Sequence, residues 1–310
     1  MHAEDGGGYG IAALCRALGI SKQSYYKYSV ERHGRTAALE AFAVEFALGI
    51  RRVDPGIGIR KLWRMYRAEF PAEARLGRDK FEDLMARYGL KVRNKPRRIR
   101  TTDSSHGFPL YPNMVRELIP ERVNQLWTSD ITYIPLFIGD DRRFCYLSLI
   151  TDAYSHEIVG WAVGLTLDAH YPLTALEMAL KRLEGRGERP IHHSDRGIQY
   201  ACRRYTRALT DNGIRISMTE SGDPKENAYA ERVNSTIKNE LLKGRRFHSL
   251  ADVRTALRDA VDFYNNRRPH MSVDMLTPTQ AALLRGEIPK KWHSFREAAI
   301  KKKGNVVGNS

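Results

Sequence analysis

Three acidic residues of the chain stand far apart, each in a stretch of distinct character. They are Asp130 in LWTSDITYI, Asp195 in HHSDRGIQY and Glu231 in ENAYAERVNSTIKNE. Carboxylate oxygens are the ligands that hard divalent cations such as Mg²⁺ prefer. Two such ions about 4 Å apart can activate an attacking oxygen and stabilise the leaving oxygen of a phosphodiester. If the fold brings the three acids together, they predict a metal site that cuts and joins DNA strands.

Asp130 and Asp195 each have an ordinary structural explanation as well. Asp130 lies inside the first predicted strand, amid residues that otherwise look buried, and a carboxylate is disfavoured there unless something compensates its charge. A metal would compensate it, but so would an arginine or a backbone group on the solvent face. Asp195 closes a predicted strand before Arg196 and Gly197, at the kind of sheet end where sites gather. An Asx turn explains an Asp before a Gly equally well.

Glu231 is preferred to the other nearby glutamates because of its place on a predicted helix. A polar edge recurs at helical spacing beside an apolar stripe. The polar edge is Asn227, Glu231, Asn234 and Lys238, and the stripe is Ala230, Val233, Ile237 and Leu241. A carboxylate that flanks the buried stripe can face the sheet. Lys238 could hold a phosphate near the metals, or form an ordinary surface ion pair.

The elements that must position these acids alternate between strands and helices. Three β-branched and aromatic runs, at 126–138, 144–151 and 157–163, predict an antiparallel meander. Further along, the pattern predicts helices at 169–183, 200–209 and 227–242, with strands at 190–194 and 214–219. The order βββαβαβα is that of a ribonuclease-H-like α/β core, a mixed five-stranded sheet flanked by helices.

Helical modules are predicted before this core. Residues 11–28 have the rhythm of a helix-turn-helix, with a turn at Gly19 and Ser21 as N-cap of the second helix. Lys22, Gln23 and Lys27 would then face a DNA groove, although a purely structural helix pair shows the same pattern. Residues 37–88 predict a second helical module with a DPGIG break at 54–58, whose apolar and aromatic residues, Phe42 among them, are expected in its core.

The segment RYGLKVRNKPRRIR at 87–100 carries seven basic residues and no acid. It is either a solvated linker or an arm along a phosphate backbone, and the lack of compensating acids favours the arm. The predicted organisation is therefore a helix-turn-helix at 1–32, a second helical or winged DNA-binding module at 33–98, a basic and polar linker at 99–121, a catalytic core at 122–284 and a disordered basic tail at 285–310.

Composition supports a nucleic-acid partner. The net charge is +15 and the pI about 9.8, which a polyanionic partner explains most simply. Three cysteines, Cys15, Cys145 and Cys202, form no CxxC pair, which argues against a disulfide framework or zinc knuckle and fits a reducing cytoplasm. The sequence contains no apolar run long enough for a membrane span and no secretion signal, so we expect a cytoplasmic, nucleoid-associated protein.

Several ordered motifs together resemble those of the DDE transposases of bacterial insertion sequences, more narrowly the OrfB type with a retroviral-integrase-like core. The motifs are WTSDITYIP, YLSLITDAYSHEIVGWAV, HHSDRGIQY, ENAYAERVNSTIKNE and YNNRRPHMSVDMLTP. The resemblance runs from about residue 14 to 284 and is most specific over 126–284.

The resemblance implies that Asp130, Asp195 and Glu231 bind two Mg²⁺ or Mn²⁺ ions, and that Lys238 touches transposon-end DNA. Water would cleave a strand at the element's end, and the freed 3′ hydroxyl would attack a second phosphodiester, without a covalent enzyme intermediate. The implied DNA partners are the double-stranded terminal inverted repeats and the target DNA. The implied protein partners are at least one further copy of the chain and a protein with a helix-turn-helix and a leucine zipper, encoded by the first of two overlapping reading frames.

The predicted DNA contacts combine the helix-turn-helix, the basic arm and the end of the core. They are Lys22, Gln23, Lys27, Arg93, Lys95, Arg97, Arg98, Lys238, Arg267 and Arg268. Arg267, Arg268 and His270 could instead lock the last helices onto the core. His192 and His193 point to opposite faces of a strand, so we expect packing or phosphate contacts rather than metal ligation.

Three alternatives remain open at this level. A retroviral-type integrase should carry an N-terminal zinc domain, whose paired ligands are missing here. A tyrosine recombinase would need a reactive tyrosine, such as Tyr205 in the RRY of a predicted helix. A catalytically inactive DNA-binding regulator of the element is disfavoured because all three acids are present.

Overall fold

The computed structural model describes residues 10–26, 30–92, 107–139, 141–185, 187–220 and 224–307. The chain divides into two compact units, of which the first comprises 1–48 and 66–90 and the second 49–65 and 91–310. Among the described residues, no helix has both the length and the apolar character that crossing a bilayer requires.

Among the described residues, five α-helices precede the sheet. They are α1 (Ile11–Ala17), α2 (Lys22–Tyr26), α3 (Val30–Val53), α4 (Ile59–Glu69) and α5 (Arg78–Arg87). The predicted turn between α1 and α2 is confirmed, because Gly19 adopts a φ of +63°, a conformation that glycine reaches without strain. The predicted cap is confirmed too, since the Ser24 backbone N–H donates to the Ser21 hydroxyl at 3.0 Å.

The aromatic core expected for the second helical module is confirmed with one exception. Tyr66 stacks on Phe81 with ring centroids 4.9 Å apart, and Phe46 packs against Tyr66 at 5.6 Å. Phe42, predicted as core, is instead 57% exposed, because the buried face of α3 at this point is formed by Ala43 and Ala47. The DPGIG break is confirmed, as α3 ends at Val53 and α4 begins at Ile59.

The second unit is built on a five-stranded mixed sheet in the order β3-β2-β1-β4-β5. The strands are β1 (Leu126–Ile138), β2 (Asp141–Asp152), β3 (Ile158–Gly164), β4 (Ile191–Ser194) and β5 (Arg215–Met218). The first three strands are antiparallel, and β4 and β5 run parallel to β1. The predicted ribonuclease-H-like layout is confirmed, and it makes β1 the central strand.

The β1–β2 hairpin is longer than the sequence pattern predicts. Pairing continues to Ile138 opposite Asp141, so that the polar Asp141–Arg143 belongs to β2 rather than to a loop. Gly139 has a φ of +60°, which suits the tight connection between two antiparallel strands. The hairpin therefore carries charged residues out to its end.

Further helices follow β3 in the described part of the chain. They are α6 (His170–Leu180), α7 (Ile198–Ala201), α8 (Arg203–Asp211), α9 (Ala228–Thr236), α10 (Leu250–Asn266), α11 (Pro278–Ala281) and α12 (Phe295–Val307). Of these helices, α6, α8, α9 and α10 contact the sheet. One apolar core joins Trp127 of β1 to Leu176 of α6 and Leu209 of α8. On α10, Asn265 exchanges two hydrogen bonds of 2.9 Å with the backbone of Ile158 in β3.

The predicted helix at 227–242 consists of three consecutive segments. A 3₁₀ turn at Pro224–Asn227 leads into α9, and Ile237–Leu241 forms a π turn. The wider π turn inserts extra backbone into the helix and changes which residues follow one another along its faces. The apolar stripe predicted for this helix is buried throughout, from Ala230 to Leu241.

The expectation of a disordered tail at 285–310 is wrong for the described part of that segment. The Gly286 N–H donates to the Glu121 carbonyl at 2.8 Å, and Phe295–Val307 forms α12. The Arg296 guanidinium donates to the Val115 carbonyl at 2.7 Å. Composition misled here because basic residues can bond the carbonyls of a neighbouring segment as well as water.

Candidate active site

Asp130 lies on the central strand, partly buried, between two hydrogen-bond donors. Its Oδ2 accepts from the Asn234 amide at 2.8 Å, and its Oδ1 accepts from the Ile131 N–H at 2.9 Å. Burial, together with the charges of Asp195 and Glu231, raises the pKa of Asp130 to about 7, against the lowering effect of these hydrogen bonds. Asp195 and Glu231 are therefore close enough for their charges to act on Asp130.

Asp195 follows the last residue of β4, as the sequence predicts. Its Oδ1 accepts from the Gly197 N–H at 3.0 Å, so the Asx turn considered from the sequence is present beside the other acids. A Cβ at Gly197 would lie only 3.0 Å from the same oxygen, which is tighter than ordinary contacts. Gly197 thus leaves space for the carboxylate where the chain turns into α7.

The polar edge of α9 faces β1. The Asn227 amide donates to the Ser129 carbonyl at 2.9 Å, and the Lys238 ammonium lies 3.4 Å from the centre of the Tyr133 ring. Glu231 is on the first turn of α9, between these contacts and on an exposed part of the edge. The sequence identified this edge, but not that its two asparagines bond β1.

The donor set suits a hard divalent cation, although the described residues contain no His, Cys, Asp or Glu cluster of three already arranged as a metal site. Carboxylates and amide oxygens are the ligands that Mg²⁺ takes. The Asn234 Oδ1 is buried and, in the described part of the chain, has no hydrogen-bond partner. An unsatisfied buried oxygen beside a partly buried carboxylate is chemistry that a cation would compensate.

Two histidines next to the site pack inside the protein. His192 Nε2 lies 2.7 Å from the Ser129 hydroxyl and 2.9 Å from the Tyr205 hydroxyl. His193 bonds the Ser217 hydroxyl at 2.9 Å and the Glu226 carbonyl at 3.0 Å. Burial lowers the pKa of His192 to about 3 and that of His193 to about 4, so both rings are neutral. Packing, rather than ligation or phosphate contact, is what the geometry favours.

The tyrosine-recombinase alternative fails on the burial of Tyr205. This residue is 0% exposed, its hydroxyl bonds His192, and burial raises the pKa of its phenol well above the usual value. A nucleophile must reach a phosphodiester, and this hydroxyl cannot do so.

One predicted DNA contact is wrong. Arg268 is 2% exposed, and its guanidinium pairs with Glu240 and lies 3.4 Å from Asp54. Lys61 completes the network at 3.6 Å from Glu240. Burial of an arginine requires carboxylate partners, and here those partners come from separate segments, so the alternative of a lock between helices applies.

The other predicted DNA contacts divide into exposed residues and residues outside the described ranges. Lys22, Gln23 and Arg267 are exposed, and Lys238 is half-buried against Tyr133. Lys27, Arg93, Lys95, Arg97 and Arg98 lie outside the described residues. None of these contacts is decided by the geometry, and they stay predictions.

The sheet order defines a ribonuclease-H-like core. The integrase core domain family matches this chain twice, over residues 120–224 and 212–278. Among solved structures, the simian T-cell lymphotropic virus intasome in complex with the PP2A regulatory subunit B56 gamma matches with a TM-score of 0.45 and 17% identity, covering 77% of this chain and 75% of that one.

Curated relatives align over most of their length. The chain is 33% identical over 266 residues to the transposase for insertion sequence element IS629 of Shigella sonnei, covering 84% of this chain and 87% of that protein. It is 27% identical over 280 residues to the transposase InsF for insertion sequence IS3A of Escherichia coli K12, covering 88% and 93%. The chain belongs to the transposases of bacterial insertion sequences, with an integrase core domain. It acts in DNA transposition and integration, which are polynucleotidyl transfers.

Proposed function

We propose that Asp130, Asp195 and Glu231 are the catalytic residues, and that they bind two Mg²⁺ or Mn²⁺ ions. The observation that carries this proposal is the pKa of Asp130, raised to about 7 by burial and by the charges of the other two acids. Three carboxylates that repel one another at one place need a shared cation to remain ionised together. Bound ions would supply Lewis-acid activation of the attacking and leaving oxygens.

The residues of the chain provide positioning. Asn234 holds one oxygen of Asp130, and the Gly197 N–H holds one oxygen of Asp195, so each carboxylate presents its remaining lone pairs in a fixed direction. Glu231 is exposed on the first turn of α9, where it can turn toward Asp130 when ions bind. No side chain has to act as nucleophile, because water and then the freed 3′ hydroxyl attack.

The proposed substrates are double-stranded DNA of the element ends and of the target. Lys22, Gln23, Arg267 and Lys238 are proposed contacts, together with the predicted contacts outside the described residues. Joining two ends requires at least two copies of the chain. A further proposed partner is the helix-turn-helix and leucine-zipper protein that the first overlapping reading frame encodes. The proposed location is the cytoplasm, in association with the nucleoid.

A strand-cleavage assay on duplexes that carry the ends flanking this frame tests the proposal. Wild type is expected to nick the ends only with Mg²⁺ or Mn²⁺, and Glu231→Gln to lose at least a hundredfold in rate while binding the same duplex. Glu177→Gln, an exposed glutamate on α6, is the matched control and should cleave like wild type.

If the protein is instead a catalytically inactive DNA-binding regulator, no strand cleavage is expected. A wild-type protein that binds the ends with either ion present but never nicks them would support the regulator and overturn the proposed chemistry. A protein-linked DNA species on a denaturing gel would contradict the absence of a covalent intermediate.

A further inference from the structure

A row of basic and aromatic side chains extends from the candidate active site along the β1–β2 hairpin. The Lys238 ammonium lies over Tyr133, the Tyr133 ring meets Phe144 edge-on at 5.2 Å, and the Arg142 guanidinium lies 5.5 Å from the Phe144 ring. The rings are in contact with one another, so the row is continuous. Lys238 links the row to the site, because the odd spacing from Asp130 to Tyr133 directs these two side chains to opposite faces of β1.

A second segment brings more cations to the same hairpin. The Phe137 N–H donates to the Phe247 carbonyl at 2.8 Å, and His248 Nδ1 lies 3.1 Å from the Phe137 carbonyl. These bonds hold the loop 243–248 against the end of β1. Arg246 consequently lies over Phe137, with its guanidinium carbon 4.7 Å from the ring centre. Gly244, at a φ of +76°, makes the turn that this loop needs.

We infer that this hairpin surface, defined as Arg142, Lys243, Arg245 and Arg246 with the rings of Phe137 and Phe144, binds the phosphate backbone of duplex DNA. The four cations are exposed, and in the described part of the chain none has a carboxylate within ion-pair distance. The nearby acids are engaged elsewhere: Asp141 pairs with Arg143, and Glu240 pairs with Arg268. The inference deepens the proposed function and rests on it.

Cation–π contacts hold two of the guanidinium groups of this surface against aromatic rings. A guanidinium that rests against a ring still has N–H donors available to a ligand. Such donors recognise phosphate oxygens bidentately. Four exposed cations on one hairpin and its neighbouring loop suit the closely spaced negative charges of a duplex.

The geometry also places the contact relative to the scissile bond. From Asp130 to Phe137, β1 advances by about 3.3 Å per residue, which makes roughly 23 Å. A duplex that follows the strand has one phosphate per strand about every 3.4 Å, so the contacted phosphates lie about seven nucleotides from the one that is cut. The duplex is either the element end or the target, and the reaction step affected distinguishes them.

The test compares two adjacent-arginine variants of the whole chain. Arg245→Ala with Arg246→Ala is expected to reduce the slope of log Kobs against log salt by about two relative to wild type, since each phosphate contact contributes about 0.9. Ethylation of phosphates about seven nucleotides from the cut should hinder wild type but not this variant. Arg203→Ala with Arg204→Ala, two exposed arginines on α8, is the matched control and should lose neither property in this region.

Two separate activity assays, nicking of the element end and transfer of a pre-nicked end, show which duplex binds this surface. If the variant is slow in nicking the element end, the bound duplex is the end; if it nicks normally but transfers a pre-nicked end slowly, it is the target. An unchanged salt slope and an unchanged interference pattern would overturn the inference. Both binding measurements are made without catalysis, so a failure of the metal chemistry would be seen separately, as a wild type that binds but never cuts.

Discussion

At the scale of single residues, Asp130 is the central acid of the candidate active site. Its carboxylate is partly buried on the central strand, holds two hydrogen bonds and is influenced by two other acids. Such a group is costly to ionise without a counter-charge, and the cost appears as a raised pKa. A proton and the proposed metal ion would therefore compete for the same oxygens of Asp130.

This competition predicts how stability depends on pH. The folded protein keeps the Asp130 proton up to about pH 7, whereas the unfolded chain releases it near pH 4, so this residue destabilises the fold as pH rises through that window. Mg²⁺ should offset the loss. We expect the rise in melting temperature on adding Mg²⁺ to be larger at pH 8 than at pH 5, measured by thermal unfolding. Asp130→Asn should abolish this difference, and a difference that survives in this variant would place the titrating group elsewhere.

Asn234 gives a second residue-scale prediction. Its amide lowers the pKa of Asp130 by donating to the carboxylate, so Asn234→Ala should raise that pKa further and weaken metal binding. We expect roughly tenfold slower strand cleavage at pH 7, with partial recovery at higher pH or higher Mg²⁺, from rate measurements across both. Asn239→Ala, an exposed residue that bonds Ser235, is the control. A loss that neither pH nor Mg²⁺ alters would indicate a merely structural role.

At the scale of elements, the turn between α3 and α4 packs against the π turn that follows the Glu231 helix. The Gly56 N–H donates to the Glu240 carbonyl at 3.0 Å, and Asp54, Lys61, Arg268 and Glu240 form a buried charge network there. Burial raises the pKa of Asp54 to about 6 and lowers that of Lys61 to about 8, so the network is favourable only with all its partners in place. The helix that carries Glu231 is thus held at its far end by another segment.

Gly56 tests this contact. A Cβ at Gly56 would lie 2.4 Å from the Glu240 Cα, whereas a Cβ at Gly58 would meet nothing within 4 Å. Gly56→Ala should therefore lower the free energy of unfolding by about 1–3 kcal/mol, as overpacking does, and slow strand cleavage. Gly58→Ala should do neither. Equal urea midpoints for the two variants would show that the turn does not pack on the helix in solution.

The elements that the sequence predicts well are those whose pattern depends on local chemistry. β-Branched and aromatic residues mark β1, Gly19 and the Ser21 cap mark the turn between α1 and α2, and the apolar stripe from Ala230 to Leu241 marks the buried face of the segment that carries Glu231. The contacts of Asn227 and Asn234 with β1 could not be predicted from the sequence. An asparagine on the polar edge of a helix has the same sequence spacing whether its amide bonds solvent or a neighbouring strand.

At the scale of the whole molecule, charge is a weaker guide to individual residues than to the partner. A net charge of +15 indicates a polyanionic partner. Not every basic residue is available to that partner, because Arg268 lies inside the protein and Arg296 bonds backbone carbonyls. Composition counts such residues together with the exposed cations of the hairpin surface, and for this reason it predicts the tail and Arg268 wrongly. Only tertiary structure separates a cation that neutralises a buried carboxylate from one that remains available to phosphate.

The dependence of DNA affinity on salt concentration tests whether duplex DNA is the partner. If the exposed cations neutralise six to ten phosphates, affinity for duplex DNA should fall by about 10³–10⁵-fold between 50 and 200 mM salt. The free energy of unfolding should change little over the same range, because the buried Arg268 network is poorly screened. Fluorescence anisotropy with a labelled end duplex measures the first quantity, and urea unfolding in the same buffers measures the second. An affinity that is nearly independent of salt would mean that the positive charge of this transposase has a purpose other than contact with the DNA backbone.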